Sequence, residues 1–248
     1  MLIRHVAAGF LVCAFTLSAA AQEKNTAATS DQRKDKFAAD RHDSFVKRAK
    51  EGDVNVLFLG DSITQGWEGN GKKVWEEHFA PMKAANFGIG GDRTQHVLWR
   101  LTTGKELEGI QPKVCVLMIG TNNAGSNSAA EIAAGVAAVV KELHHQRPEM
   151  KVLLLGVFPR TGKGKKDLKD PSKVQAGEFN VQVEEVNKII SKLDDGKTTR
   201  YLDIGPKFLD ADGALPAEIM PDFLHLSAKG YAIWAESVKE RVAELTKS

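Results

Sequence analysis

Val54-Asn55-Val56-Leu57-Phe58-Leu59-Gly60-Asp61-Ser62-Ile63-Thr64 reads as a buried strand that stops at a glycine and turns into helix-starting residues. Val54 to Leu59 is apolar at all but one position. A strand with one wet face would alternate, so this run suits a strand covered on both sides. Four more runs share that character: Ala84–Phe87, Val114–Ile119, Val152–Val157 and Tyr201–Ile204. Longer stretches with apolar residues at helical spacing surround them, over Phe37–Lys50, Ala129–His145, Val174–Leu193 and Ala228–Leu245. Apolar strands separated by helices predict an α/β fold, a three-layer α/β/α sandwich around a five-stranded, doubly wound parallel sheet.

Composition narrows the function class. A hydrophobic fraction of 42% and a charged fraction of 27% are those of a globular protein. Lys plus Arg number 34 against 32 Asp plus Glu, and the net +2 gives no reason to expect a nucleic-acid partner. Residues 1–21 have the form of a secretory signal peptide, with Arg4, the apolar run Val6 to Leu17 and the small residues Ser18-Ala19-Ala20-Ala21. The run is shorter than the roughly 20 residues of a spanning helix, so export to the periplasm or medium is expected, with no membrane anchor after cleavage. Residues 22–34 are polar and suit a flexible lead-in to a domain over 35–248. Cys115 is then the only cysteine after the signal, in an apolar run where a buried, inert thiol is expected.

Doubly wound sheets bind ligands beyond the carboxyl ends of their strands, and the unusual residues fall there. The first strand runs into Gly60-Asp61-Ser62, the second into Asn86-Phe87-Gly88-Ile89-Gly90-Gly91-Asp92 and the third into Gly120-Thr121-Asn122-Asn123. Asp222-Phe223-Leu224-His225 precedes the last helix. Each has a bland reading. Ser62 suits an ordinary turn, Asp222 a helix cap, Asn122-Asn123 a turn, and the glycines a phosphate-cradling loop. The chemical reading is acyl transfer, in which a hydroxyl needs a histidine base, the base needs a carboxylate, and the oxyanion needs donors. Ser62, His225 and Asp222 supply the first three, and the N–H groups of Ser62 and Gly91 with the Asn122 amide supply the donors. No other His or Cys has a spacing that would complete a metal site.

Taken together these blocks resemble the GDSL/SGNH hydrolase family, named for Ser, Gly, Asn and His in four sequence blocks. They stand here as Gly60-Asp61-Ser62, Asn86 to Asp92, Gly120 to Asn123 and Asp222 to His225. The stretch from Asn86 to Asp92, with His96-Val97-Leu98-Trp99-Arg100-Leu101, is similar to the branch containing the catalytic subunits of intracellular platelet-activating-factor acetylhydrolase. The resemblance implies a flavodoxin-like sheet and a catalytic triad of Ser62, His225 and Asp222. It also implies an oxyanion hole of Ser62, Gly91 and Asn122, and no cofactor or metal. Two departures are Ile63 in place of the usual leucine and Asn123 where many members carry Asp. The signal-peptide form of residues 1–21 argues against an intracellular phospholipid role even on the same scaffold.

The expected activity is hydrolysis of short-acyl esters, acetyl above all, with O-acetylated carbohydrate as a leaving-group class. The alternatives are a lipase or thioesterase of longer acyl preference and a noncatalytic glycan- or protein-binding module. Trp67, Trp75 and Trp99 suit either a sugar site or core packing, and the basic stretch Arg160 to Lys173 suits an anionic substrate or a solvated loop.

Overall fold

Five strands, each overlapping one of the apolar runs, form one parallel sheet in the computed structural model, which describes residues 25–162 and 167–247. The strands are β1 (Val56–Gly60), β2 (Ala84–Gly88), β3 (Val114–Met118), β4 (Lys151–Leu155) and, after a short β5 (Lys173–Val174), β6 (Thr199–Leu202). Their order is β2-β1-β3-β4-β6. β5 pairs antiparallel with β7 (Leu215–Pro216) in a separate two-stranded sheet. The signal-peptide reading of residues 1–21 and positions 163–166 of the basic stretch lie outside the described residues.

Side-chain alternation divides the core in two. Leu57, Leu59, Cys115, Leu117, Val152 and Leu154 face one layer. There they meet α1 (Lys36–Lys50), α4 (Thr94–Leu101), α5 (Ala129–Gln146) and α6 (Val181–Ile190). Val56, Phe58, Val116, Met118, Leu153 and Leu155 face the other, against α3 (Lys72–His78) and α7 (Ala228–Leu245). Cys115 is fully buried and free, and burial pushes its thiol well above the ordinary range.

One expectation needs correction. The helix foreseen from Val174 starts at Val181, because Val174 pairs with Leu215 and Asn180 caps the helix by accepting the Gln182 N–H. Of the two readings open for Trp67, core packing holds, since it is 1% exposed and packed among Phe58, Phe79, Tyr231 and Trp234. Trp75 joins that cluster, and Trp99 lies edge-on to His42.

The described part of the polar lead-in is also laid onto the fold. Asn25 Nδ2 donates to Glu131 O at 3.2 Å, and Thr94 Oγ1 donates to the carbonyl of fully buried Ala27 at 2.7 Å. A Cβ on Gly135 would sit 2.5 Å from Ala27 O, so the small residues let the segment lie against α5.

The switch in winding direction falls between β1 and β3, whose outer neighbours lie on opposite sides of the sheet. Such a point opens a crevice at the carboxyl ends of the strands, where the residues singled out above converge.

Candidate active site

Gly60 makes the first turn possible. A Cβ there would lie 2.2 Å from Thr64 Oγ1 and 2.4 Å from Met118 O, a clash with backbone that cannot move aside. Asp61 caps α2 (Ser62–Gln65) by accepting the Ile63 N–H at 3.0 Å, which leaves Ser62 as the first helical residue at the sheet's edge. Tyr231 Oη donates to Ile63 O at 2.6 Å and ties α2 to α7.

Ser62 Oγ lies 2.9 Å from His225 Nε2, and His225 Nδ1 lies 2.6 Å from Asp222 Oδ2. Local chemistry fixes the second pair. Asp222 Oδ1 accepts the N–H groups of Leu224 at 3.1 Å and His225 at 2.7 Å, so the carboxylate organises the turn that carries its own histidine. Phe223 sits at φ 58 with its ring fully buried, a left-handed conformation that costs on the order of 1–3 kcal/mol and holds only where packing enforces it. The cap of α7 is Ser227, not Asp222, which leaves Asp222 free of the structural role its position suggested. Burial draws the Asp222 carboxyl upward, but the hydrogen bonds from His225 outweigh it and keep the group below the usual carboxylate range. The site is open: Asp222 and His225 keep 57% and 43% side-chain exposure.

The donors sit on the two neighbouring turns. Asn122 Nδ2 donates to Asp92 O at 2.9 Å, linking the turn after β3 to the one after β2, and has a second N–H to offer. Among the described residues, the N–H groups of Ser62 and Gly91 make no hydrogen bond. Fully buried Asn123 uses both ends of its amide, accepting the Thr94 N–H and donating to Gln95 Oε1 and Asn127 Oδ1. An ionised Asp could make neither donation, which explains the departure at that position. The arrangement unites a hydroxyl, an imidazole and a carboxylate beside free N–H donors, the set acyl transfer needs.

Other residues here carry no sequence signal. Arg160 is the first residue of the basic stretch, yet it turns inward and donates to Thr121 O at 3.2 Å. Burial lowers its guanidinium while Asp61 and Asp222 act to hold the charge. Phe37 is 48% exposed, and a Cβ on Gly90 would lie 3.7 Å from both its ring and Ser62 Cβ, so the ring and the serine flank one glycine. Among the described residues, no group of three His, Cys, Asp or Glu is placed to hold a metal ion.

Asp61 is completely buried, and its carboxyl is pushed up to about 7, chiefly by burial and further by Asp92, against the opposing Ile63 N–H and Arg160. The folded protein therefore keeps a proton that the unfolded chain releases near 3.8. This group's contribution to stability is complete below about pH 4 and is lost as pH rises to about 7. Asp61→Asn keeps the acceptor for Ile63 and has no proton to lose. Its stability relative to the parent protein is expected to grow by up to about 3 kcal/mol between about pH 5 and pH 8. Denaturant melts at the two pH values measure this, and a difference independent of pH would contradict the assignment.

The family described as GDSL-like Lipase/Acylhydrolase matches residues 58–233. Platelet-activating factor acetylhydrolase IB subunit alpha2 of Rattus norvegicus is 39% identical over 206 residues, covering 83% of each chain. Subunit alpha1 of Homo sapiens is 38% identical over 191 residues, covering 77% of this chain and 76% of its own. A GDSL-like lipase from Bacteroides thetaiotaomicron shares the fold, with a TM-score of 0.64 at 19% identity, covering 84% of this chain and 99% of that one.

Proposed function

Because the chain belongs to the GDSL-like lipase/acylhydrolase family and is an ester hydrolase, we propose that it is an exported serine esterase that removes short acyl groups, acetyl in particular, from bulky alcohols such as O-acetylated carbohydrate. The observation that carries this reading is the continuous contact from Ser62 Oγ through His225 to Asp222, at 2.9 and 2.6 Å. His225 Nε2 takes the Ser62 proton as Oγ attacks the ester carbonyl, and the Ser62 and Gly91 N–H groups with the Asn122 amide hold the oxyanion. The imidazolium, steadied by Asp222, returns the proton to the leaving alcohol. Water then attacks the acyl-enzyme by the same route in reverse.

Acetyl preference is supported by the relatives, which are named acetylhydrolase subunits. A bulky alcohol is supported by the exposure of His225 and Asp222, since the leaving oxygen departs on the imidazole side, which opens to solvent. The half-exposed Phe37 beside Ser62 gives that alcohol an apolar surface to lie on. Export rests on the form of residues 1–21.

A p-nitrophenyl ester series tests the acyl side. Acetate is expected to exceed octanoate by about tenfold or more in kcat/KM, on the scale of methylene discrimination. A rising trend with chain length would instead indicate a lipase or thioesterase.

A further inference from the structure

We propose that Arg33, in the segment ahead of α1, is a positioning residue that fixes the peptide whose N–H completes the oxyanion hole. This rests on the reading of Gly91 as an oxyanion donor.

Gly90 C=O and Gly91 N–H belong to one planar peptide unit and point in opposite directions across it. Whatever holds the carbonyl also aims the N–H. Arg33 Nη1 donates to Gly90 O at 2.5 Å. Gly90 and the left-handed Gly91, at φ 82, lack the side chains that would otherwise restrict rotation of this peptide. The guanidinium also lies close against Gly91, since a Cβ built there would meet Arg33 Nη1 at 3.3 Å.

The arginine is itself held. Its Nη1 pairs with buried Asp92 Oδ1 at 3.2 Å and its Nε with Asp35 Oδ2 at 2.8 Å. Asp35 in turn caps α1 by accepting the Ala38 N–H at 3.0 Å, and Asp92 Oδ2 lies 3.0 Å from Arg100 Nε. The turn is thus fastened to both α1 and α4. A cation on the carbonyl also polarises the peptide and makes its N–H a stronger donor. Both effects grow in value as charge develops on the substrate oxygen, so they belong to kcat rather than to binding.

The test compares Arg33→Ala, Arg33→Gln and Arg33→Lys with Ser62→Ala on p-nitrophenyl acetate, with thermal melts of each. Arg33→Ala is expected to lower kcat by about 10- to 100-fold, the range for a misaligned donor, with KM within about threefold. Arg33→Lys, whose ammonium can still donate to Gly90 O, is expected to retain more activity than Arg33→Ala. Should Arg33→Ala not fold, Arg33→Gln is read by the same criteria. A folded Arg33→Ala with kcat within about twofold of the parent, a loss confined to KM, or Arg33→Lys no better than Arg33→Ala would each overturn the inference. Ser62→Ala separates the failures. Its inactivity beside an active Arg33→Ala removes only the role of Arg33, whereas full activity of Ser62→Ala removes the Ser62 site as well.

Discussion

Ser62→Ala is expected to lower kcat for acetyl ester hydrolysis by about 10⁴- to 10⁶-fold, the cost of losing the nucleophile from a serine–histidine unit. Folding should survive. The Ser62 backbone N–H remains, the cap of α2 is Asp61, and the hydroxyl's hydrogen bond in the structure is the one to His225. Residual activity should be that of the remaining donors and binding groups. An ester assay alongside a thermal melt checks both halves of the statement. A folded Ser62→Ala protein within about tenfold of the parent rate would remove Ser62 from the chemistry.

Asp222→Asn separates the proposed catalytic use of Asp222 from its local one. Asn keeps an oxygen for the N–H groups of Leu224 and His225, so the turn that presents the imidazole is expected to persist. The other end changes character, because an amide offers a donor to His225 Nδ1 where the carboxylate offered an acceptor. The imidazole then adopts the tautomer with its proton on Nε2, the nitrogen that must accept from Ser62. A loss of about 10⁴-fold in kcat follows by comparison with the same change in other triads. A loss smaller than about tenfold would show that Asp222 shapes the turn and no more.

Much of this was legible in the sequence because it depends on periodicity and on residues at strand ends. The strands β1, β3 and β4 match apolar runs because they are buried on both faces, whereas the edge strand β6 is half-buried and overlaps the foreseen run Tyr201–Ile204 only at Tyr201 and Leu202. Ser62 follows the end of β1, and Asn122 joins the turn after β3 to the turn after β2 through Asp92 O, whereas His225 reaches Ser62 from the loop ahead of α7. Features set by single contacts were not legible. Residues 25–34 look like a lead-in, yet Ala27 is buried because it meets a glycine on another helix. The region from Val174 to Asn180 has helical spacing, but a strand pair with Leu215 and the Asn180 cap prevail there. The roles of Arg33 and Arg160 were not legible because the backbone carbonyls they hold, Gly90 O and Thr121 O, lie far along the chain and leave no mark on spacing. Phe37 fits the apolar side of α1, and only its place beside Gly90 sets it apart.

Treatment of the active protein with a fluorophosphonate, followed by peptide mass mapping, bears most directly on the claim that Ser62 is the activated nucleophile. A single phosphonyl adduct on Ser62, formed in step with loss of esterase activity and absent from His225→Ala, is the expected result. An active protein that takes up no adduct, or takes it up at another residue while activity disappears, would contradict the account.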